Sequence, residues 1–342
     1  NEKMSKEEET NEIMEQIEEE ENNDTKFTIN SPIGDVSVDM LEYEAAKKSA
    51  KKQVNPPELS LITQKVQKFL GGQEETDFIY FIPRLGSLIK LHIDDEFDDY
   101  EIVKEFYLHG SIEIPAIYSN TEVANSEKKR FLQTGVRFYE NETEKFVVVC
   151  TVDDYDNDER ITIMTTEEGR GLELLQRLED GFYARGVLKN AFFDMEYNFI
   201  SRNEMVDTLI AWNGDIKKQL DKDVIEFLKI MPLLKQKGLP NSRGIILSGP
   251  PGTGKTMMAK SLAAQANVTT ILISAEMING SSQVKRAFKL GRKLAPTLMI
   301  IEDIDTAGTV SRKFTDHPIL GEYLQAMDGM ESNHGMLILA TT

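Results

Sequence analysis

Apolar and polar positions change rhythm partway along the 342 residues. From residue 243 onward, short apolar runs alternate with stretches of helical spacing. "RGIILSG", "TTILISA", "TLMIIED" and "GMLILAT" read as strands, and "GKTMMAKSLAAQA", "SQVKRAFKLGRKL" and "HPILGEYLQAMDGM" as helices between them. Apolar strands separated by helices predict a parallel sheet covered on both faces.

Residues 25–185 have a different grain. "DFIYFIP", "SLIKLHI", "VRFYE", "FVVVCTV" and "ITIMTT" are rich in β-branched and aromatic residues and are bounded by turn residues, so they predict strands. "PELSLITQKVQKFL" and "GLELLQRLEDGFYA" have helical spacing. The expectation is an α+β module. It carries no chemical motif, and His92 and His109 fall in separate strand-like segments without metal-ligand spacing. Residues 186–235 read as mostly helical and end in "DKDVIEFLKIMPLLKQKG".

Charge changes the picture at the N-terminus. Residues 1–24 hold eleven acids and two lysines, a net of −9 out of −19 for the whole chain. Such a tail is expected to be disordered and solvated, with an interaction tail as the alternative. The acidic balance argues against nucleic acid as the main partner, because phosphate contacts need clustered Lys and Arg. The 40% apolar and 28% charged residues are ordinary for a globular protein. No run approaches the ~18 apolar residues of a membrane helix, so no membrane span and a cytoplasmic location are expected. The sequence starts at Asn1 and stops at Thr342 directly after a strand-like run, and reads as a piece of a longer chain. Cys150, the single cysteine, sits in "FVVVCTV" and reads as a buried strand residue.

The candidate chemistry lies in two places. "GPPGTGKT", Gly249 to Thr256, follows a predicted strand and opens a predicted helix, and fits G-x-x-x-x-G-K-[ST]. The glycines let the backbone wrap a phosphate chain, and the helix N-terminus adds positive potential. Lys255 can reach the β- and γ-phosphates, and the Thr256 hydroxyl can hold Mg²⁺. Downstream, "LMIIEDID" runs an apolar strand into Glu302 and Asp303. In a P-loop sheet, carboxylates at the end of such a strand face Mg²⁺ and the attacking water. The bland alternative is a solvated strand end or a helix N-cap.

With these two motifs in place, the sequence resembles the AAA family of AAA+ ATPases through "GIILSGPPGTGKTMMAKSLA", "LMIIEDID", "YLQAMDGM" and "MLILATT". The resemblance covers about residues 205–342. It implies a P-loop nucleotide-binding α/β domain, incomplete here, in residues 186–342, with a substrate or adaptor domain in residues 25–185. It implies ATP and Mg²⁺ as ligands, ring assembly, usually hexameric, of the full-length protein, and ATP-driven remodelling of a protein substrate. The nucleotide is assigned to Gly249, Pro250, Pro251, Gly252, Thr253, Gly254, Lys255, Thr256 and Met257. The metal is assigned to Thr256, Glu302 and Asp303, and catalysis to Asp303, Glu302 and Lys255. The usual order of the acid pair in the family is Asp then Glu; here it is reversed. By register, Glu302 takes the Mg²⁺-associated position and Asp303 the water-polarising one.

Other departures bear on activity. No Tyr or Phe lies between Ser274 and Arg286, where many members carry an aromatic pore residue, leaving Met277 or Ile278 as a weaker apolar contact. The adenine contact maps near "LIAWNGD", where Trp212 reads as stacking or as packing. Asp305 reads as a structural acid, and Arg312 as a loop residue that either faces a neighbouring subunit or is solvated. A nucleotide-dependent scaffold with little turnover is the rival reading, and a nucleic-acid-directed P-loop protein is a third.

Overall fold

The computed structural model describes residues 26–29, 36–39, 57–153, 157–202, 214–274, 281–304 and 334–342. Trp212, Met277, Ile278, Asp305, Arg312, "YLQAMDGM" and the tail 1–24 lie outside them. Contacts divide the chain into two units. The first comprises residues 1–65 and 108–113. It contains an antiparallel pair, β1 (Lys26–Ile29) and β2 (Val36–Asp39), and an ion pair between Lys65 and Glu113. The start of α1 (Pro57–Leu70) belongs to it.

The second unit, residues 66–107 and 114–342, holds two sheets. The antiparallel one is built from β3 (Glu75–Phe81), β4 (Glu101–His109), β6 (Ile117–Glu122), β7 (Lys128–Glu140), β8 (Lys145–Val152) and β9 (Glu159–Thr165). A short β5 (Ile112–Ile114) follows β4. The order is β3-β9-β8-β7-β4, with β6 also on β7. The thirteen-residue β7 serves two partners: Lys128 to Thr134 pair with β6, and Val136 to Glu140 with β4. Gly135 sits at the changeover, where a Cβ would come within 2.9 Å of the Ala116 methyl.

Two helices, α2 (Pro83–Leu91) and α4 (Arg170–Arg185), pack against this sheet, with a short α3 (Ile93–Glu96) between α2 and β4. The helix α2 corrects the strand expected for "SLIKLHI". Pro83 supplies the first helical φ, and Leu88 and Ile89 then lie buried on one face with Lys90. β-branched content alone misread a helix that buries its apolar side on a sheet. His92 is consequently not on a strand; it joins α2 to α3 and places Nε2 3.2 Å from Glu96. Cys150 is fully buried in β8, as expected. Burial pushes its thiol up to about 11. Because the thiolate is the reactive form, maleimide labelling of Cys150 at pH 8 should proceed only as fast as this sheet unfolds, a rate that mass spectrometry would read.

The second sheet is wholly parallel, in the order β10-β12-β13-β14-β11. Its strands are β10 (Phe192–Asp194), β11 (Arg243–Leu247), β12 (Thr269–Ser274), β13 (Thr297–Glu302) and β14 (Met336–Thr341). Side chains of successive residues go to opposite faces. Leu298 and Ile300 join Leu337 and Leu339 on one face, under α7 (Lys255–Gln265) and the helix that precedes β11. That helix runs as α5 (Gly214–Leu220), a π turn (Asp221–Glu226) and α6 (Phe227–Gln236). Met299 and Ile301 join Ile271, Ile273 and Ile338 on the other face, under α8 (Ser281–Lys293). The same apolar cluster continues through α4 into the antiparallel sheet. β10 is a strand where spacing predicts mostly helix; three residues are too few for a period to show.

Candidate functional site

A parallel sheet sends every strand's C-terminal end to the same rim. The register fixes who meets there. Leu247 at the end of β11 pairs with Thr341 at the end of β14, and β13 runs along the other side of β14, with Ile301 beside Ala340. The loop that follows Leu247 and the acid pair that ends β13 therefore flank the end of β14, about 10 Å apart across two strand spacings.

The loop Gly249–Thr256 turns twice through left-handed backbone, at Gly252 (φ 78°) and Gly254 (φ 87°), conformations that glycine enters without strain. Gly254 caps α7 without a side-chain bond, and the first intrahelical donor is Met258 N–H to Gly254 O at 2.9 Å. The N–H groups of Lys255, Thr256 and Met257 are thus those a helix start offers to an anion. Lys255 Nζ folds back onto the loop and donates to Gly249 O (2.8 Å) and Pro250 O (2.9 Å). Thr253 Oγ1 also donates to Pro250 O, at 2.9 Å.

On the acid side, the two carboxylates occupy different surroundings. Asp303 is exposed and has φ 52°. Asp tolerates this left-handed region better than Glu, because its short polar side chain can bond locally. Its N–H donates to Thr341 Oγ1 at 3.0 Å, and the next N–H, of Ile304, donates to Thr341 O at 2.9 Å. Thr341 so grips the chain at the acid pair with both its oxygens. Glu302 is mostly covered, its side chain 15% exposed, and Lys260 Nζ lies 2.9 Å from its Oε1. The approach is an ion pair in distance but not a hydrogen bond in direction, since Oε1 is buried without a hydrogen-bond partner.

Lys260 and Thr341 are the two site residues that motif reading passes over. The signal for Lys260 is its place four residues after Thr256, one helical turn along the same face. Among the described residues there is no group of three or more His, Cys, Asp or Glu able to hold a metal. The oxygens present are the Thr256 hydroxyl, Glu302 and Asp303. That hard, carboxylate-poor set suits Mg²⁺, which takes one or two carboxylates and completes its shell with water and phosphate. The orphaned Oε1 of Glu302 fits the same ion.

Residues 245–342 match the family model described as "ATPase family associated with various cellular activities (AAA)". Similar curated proteins are ATP-dependent zinc metalloproteases. The FtsH of Metamycoplasma arthritidis is 36% identical over 145 residues, 39% of this chain and 19% of that protein. A FtsH of Mesomycoplasma conjunctivae is 30% identical over 184 residues, 50% of this chain and 24% of that protein. The YME1 homolog of Schistosoma mansoni is 32% identical over 139 residues, 37% and 21% respectively. The chain spans about a fifth of the length of these relatives. No helix among the described residues is long and apolar enough to cross a membrane. With its parallel sheet, glycine loop and acid-tipped strand, the segment 245–342 belongs to the AAA family of ATPases.

Proposed function

We propose that this chain binds ATP with Mg²⁺ on the loop Gly249–Thr256, extended to Met257, and hydrolyses it at the acid pair Glu302–Asp303. The work is coupled to remodelling of a protein substrate by a ring of full-length subunits. The observation that carries the reading is the register: Leu247, Thr341 and the end of β13 bring the loop and the acids to one rim. Lys255 gives up two neutral carbonyl acceptors for charged phosphate oxygens, and charge-assisted bonds are roughly twice as strong. The N–H groups at the start of α7 receive the phosphate chain. Thr256 and Glu302 hold the metal. Asp303 accepts the proton of the attacking water. Mg²⁺, when bound, neutralises phosphate charge and orients the phosphates.

The protein-binding role of residues 25–185 is supported by their surface rather than by any motif. Phe78 and Tyr80 are about half exposed on one face of β3, with the Arg160 guanidinium over both rings. Exposed aromatics and arginine are the residue types that anchor protein interfaces. The relatives' names add zinc-dependent proteolysis. The four histidines, His92, His109, His317 and His334, include no His-Glu-x-x-His pair, so proteolysis is not assigned to these residues.

Lys255→Ala tests the reading. Nucleotide affinity should fall tenfold or more, about 1.4 kcal/mol at least, in a titration with a fluorescent ATP analogue. Equal affinity of variant and parent would remove the loop from the site.

A further inference from the structure

Lys260 sits on the P-loop helix, with its charge against the carboxylate that the proposed function gives to the metal. We propose that Lys260 is the positioning residue of the acid pair. It holds Glu302 while the site carries no metal and yields Oε1 to Mg²⁺, and so sets the Mg²⁺ concentration at which the nucleotide-loaded site fills. The inference rests on the Mg-nucleotide reading above.

Two observations carry it. Nζ of Lys260 is 2.9 Å from Oε1 of Glu302, in a pair whose side chains are only 26% and 15% exposed, so solvent does little to screen it. That oxygen is nevertheless buried without a hydrogen bond. A buried acceptor left in that condition is costly, so it favours a better-directed partner. The backbone at the neighbouring Asp303 is anchored separately, by its N–H on Thr341 Oγ1. An ammonium group and a divalent metal ion cannot share one oxygen at contact distance without repelling each other. Metal entry therefore requires Lys260 to withdraw. Its four-carbon stem allows this without movement of α7.

The geometry also assigns a direction to the effect. Lysine stabilises the metal-free form of Glu302. Removing the charge should make the metal easier to bind, whereas a residue with a merely structural role would leave the metal requirement where it is.

The test uses the 342-residue chain with a fluorescent ATP analogue held at saturating concentration while Mg²⁺ is titrated. Lys260→Met and Lys260→Gln should lower the half-saturating Mg²⁺ concentration at least about fivefold, the lower end of ordinary coupling between sites. Lys260→Arg, which keeps the charge, should stay near the parent. In a Glu302→Gln background, Lys260→Met should produce no further shift. A second readout is melting without nucleotide or Mg²⁺: Lys260→Met should melt below the parent, and Mg²⁺ with nucleotide should narrow the gap. An unchanged or higher Mg²⁺ requirement in both neutral variants overturns the proposal, and so does a shift that persists in the Glu302→Gln background. A parent chain that fails to bind the analogue at any Mg²⁺ concentration overturns instead the reading beneath it. A parent that binds and shows no Mg²⁺ dependence removes the metal role of Glu302 and, with it, that of Lys260.

Discussion

Asp303→Asn in the full-length protein should leave ATP binding nearly intact and lower ATP turnover at least about 10²-fold, the scale of a lost general base. The choice of Asn matters. Asp303 sits at φ 52°, and its N–H is committed to Thr341 Oγ1. Asn tolerates that backbone as well as Asp does, so the variant removes charge and basicity while keeping the turn. Asp303→Glu would confound the two, because a left-handed Glu costs about 1–2 kcal/mol of strain. The reversed order of the acids thus has a local reason: the short acid occupies the strained position. Glu302→Gln should instead weaken Mg²⁺-dependent binding. Steady-state ATPase rates and Mg²⁺-dependent affinities, measured on both variants, decide the assignment. If Asp303→Asn turns over at the parent rate and Glu302→Gln binds but does not turn over, the two roles are exchanged. If neither change affects turnover, a nucleotide-dependent scaffold is the better description.

The second large effect lies far from the nucleotide. Lys90 is 2% exposed in α2 and Glu159 4% exposed at the start of β9. They form an ion pair inside the antiparallel sheet's core. Every partner is accounted for: Lys90 Nζ donates to Gln133 O (2.8 Å), Thr151 O (3.0 Å) and the carboxylate, and Ser87 Oγ donates to the other carboxylate oxygen at 3.1 Å. Lys90→Met keeps the volume but leaves Glu159 buried without its counter-charge. It should cost about 3–5 kcal/mol, read by denaturant unfolding and by faster labelling of Cys150. Adding Glu159→Leu should recover much of the loss, because an apolar pair of similar size fits the same space. A double variant no more stable than Lys90→Met would show that the pair also sets the local backbone.

The parallel sheet was legible because its strands are apolar on both faces, and because the loop and acids follow them at motif spacing. The antiparallel sheet was partly legible. "FVVVCTV" and "ITIMTT" stand out, whereas β4 mixes Glu101, Lys104 and Glu105 into its length; in the parallel sheet only the three-residue β10 escaped. Composition failed at "SLIKLHI", where Pro83 and the i, i+1 pair Leu88–Ile89 on a sheet-facing side outweighed β propensity. At the site, the motifs gave Lys255, Thr256, Glu302 and Asp303. They did not give Thr341, whose part depends on which strand lies beside which, and for Lys260 the spacing from Thr256 marks the helix face but not the strand end that it meets. Contacts of that kind are set by topology.

The apolar cluster that runs from α4 into the parallel sheet matters for anyone who would cut the chain. Lys293 on α8 reaches Glu179 on α4 at 2.6 Å and lies over the Tyr183 ring, and Lys189 Nζ donates to the two carbonyls just past α8, of Leu294 and Ala295. Excision of the ATPase segment at residue 186 would remove Leu178, Phe182 and Tyr183 from the apolar cluster that they share with Val284, Ala287 and Phe288 of α8. Such a fragment would expose a sticky flank, and its solubility would report on the cut rather than on the enzyme. The ion pair and the shared cluster also link the two helices, so a displacement of α8 pulls on α4 through side chains as well as through the chain between them.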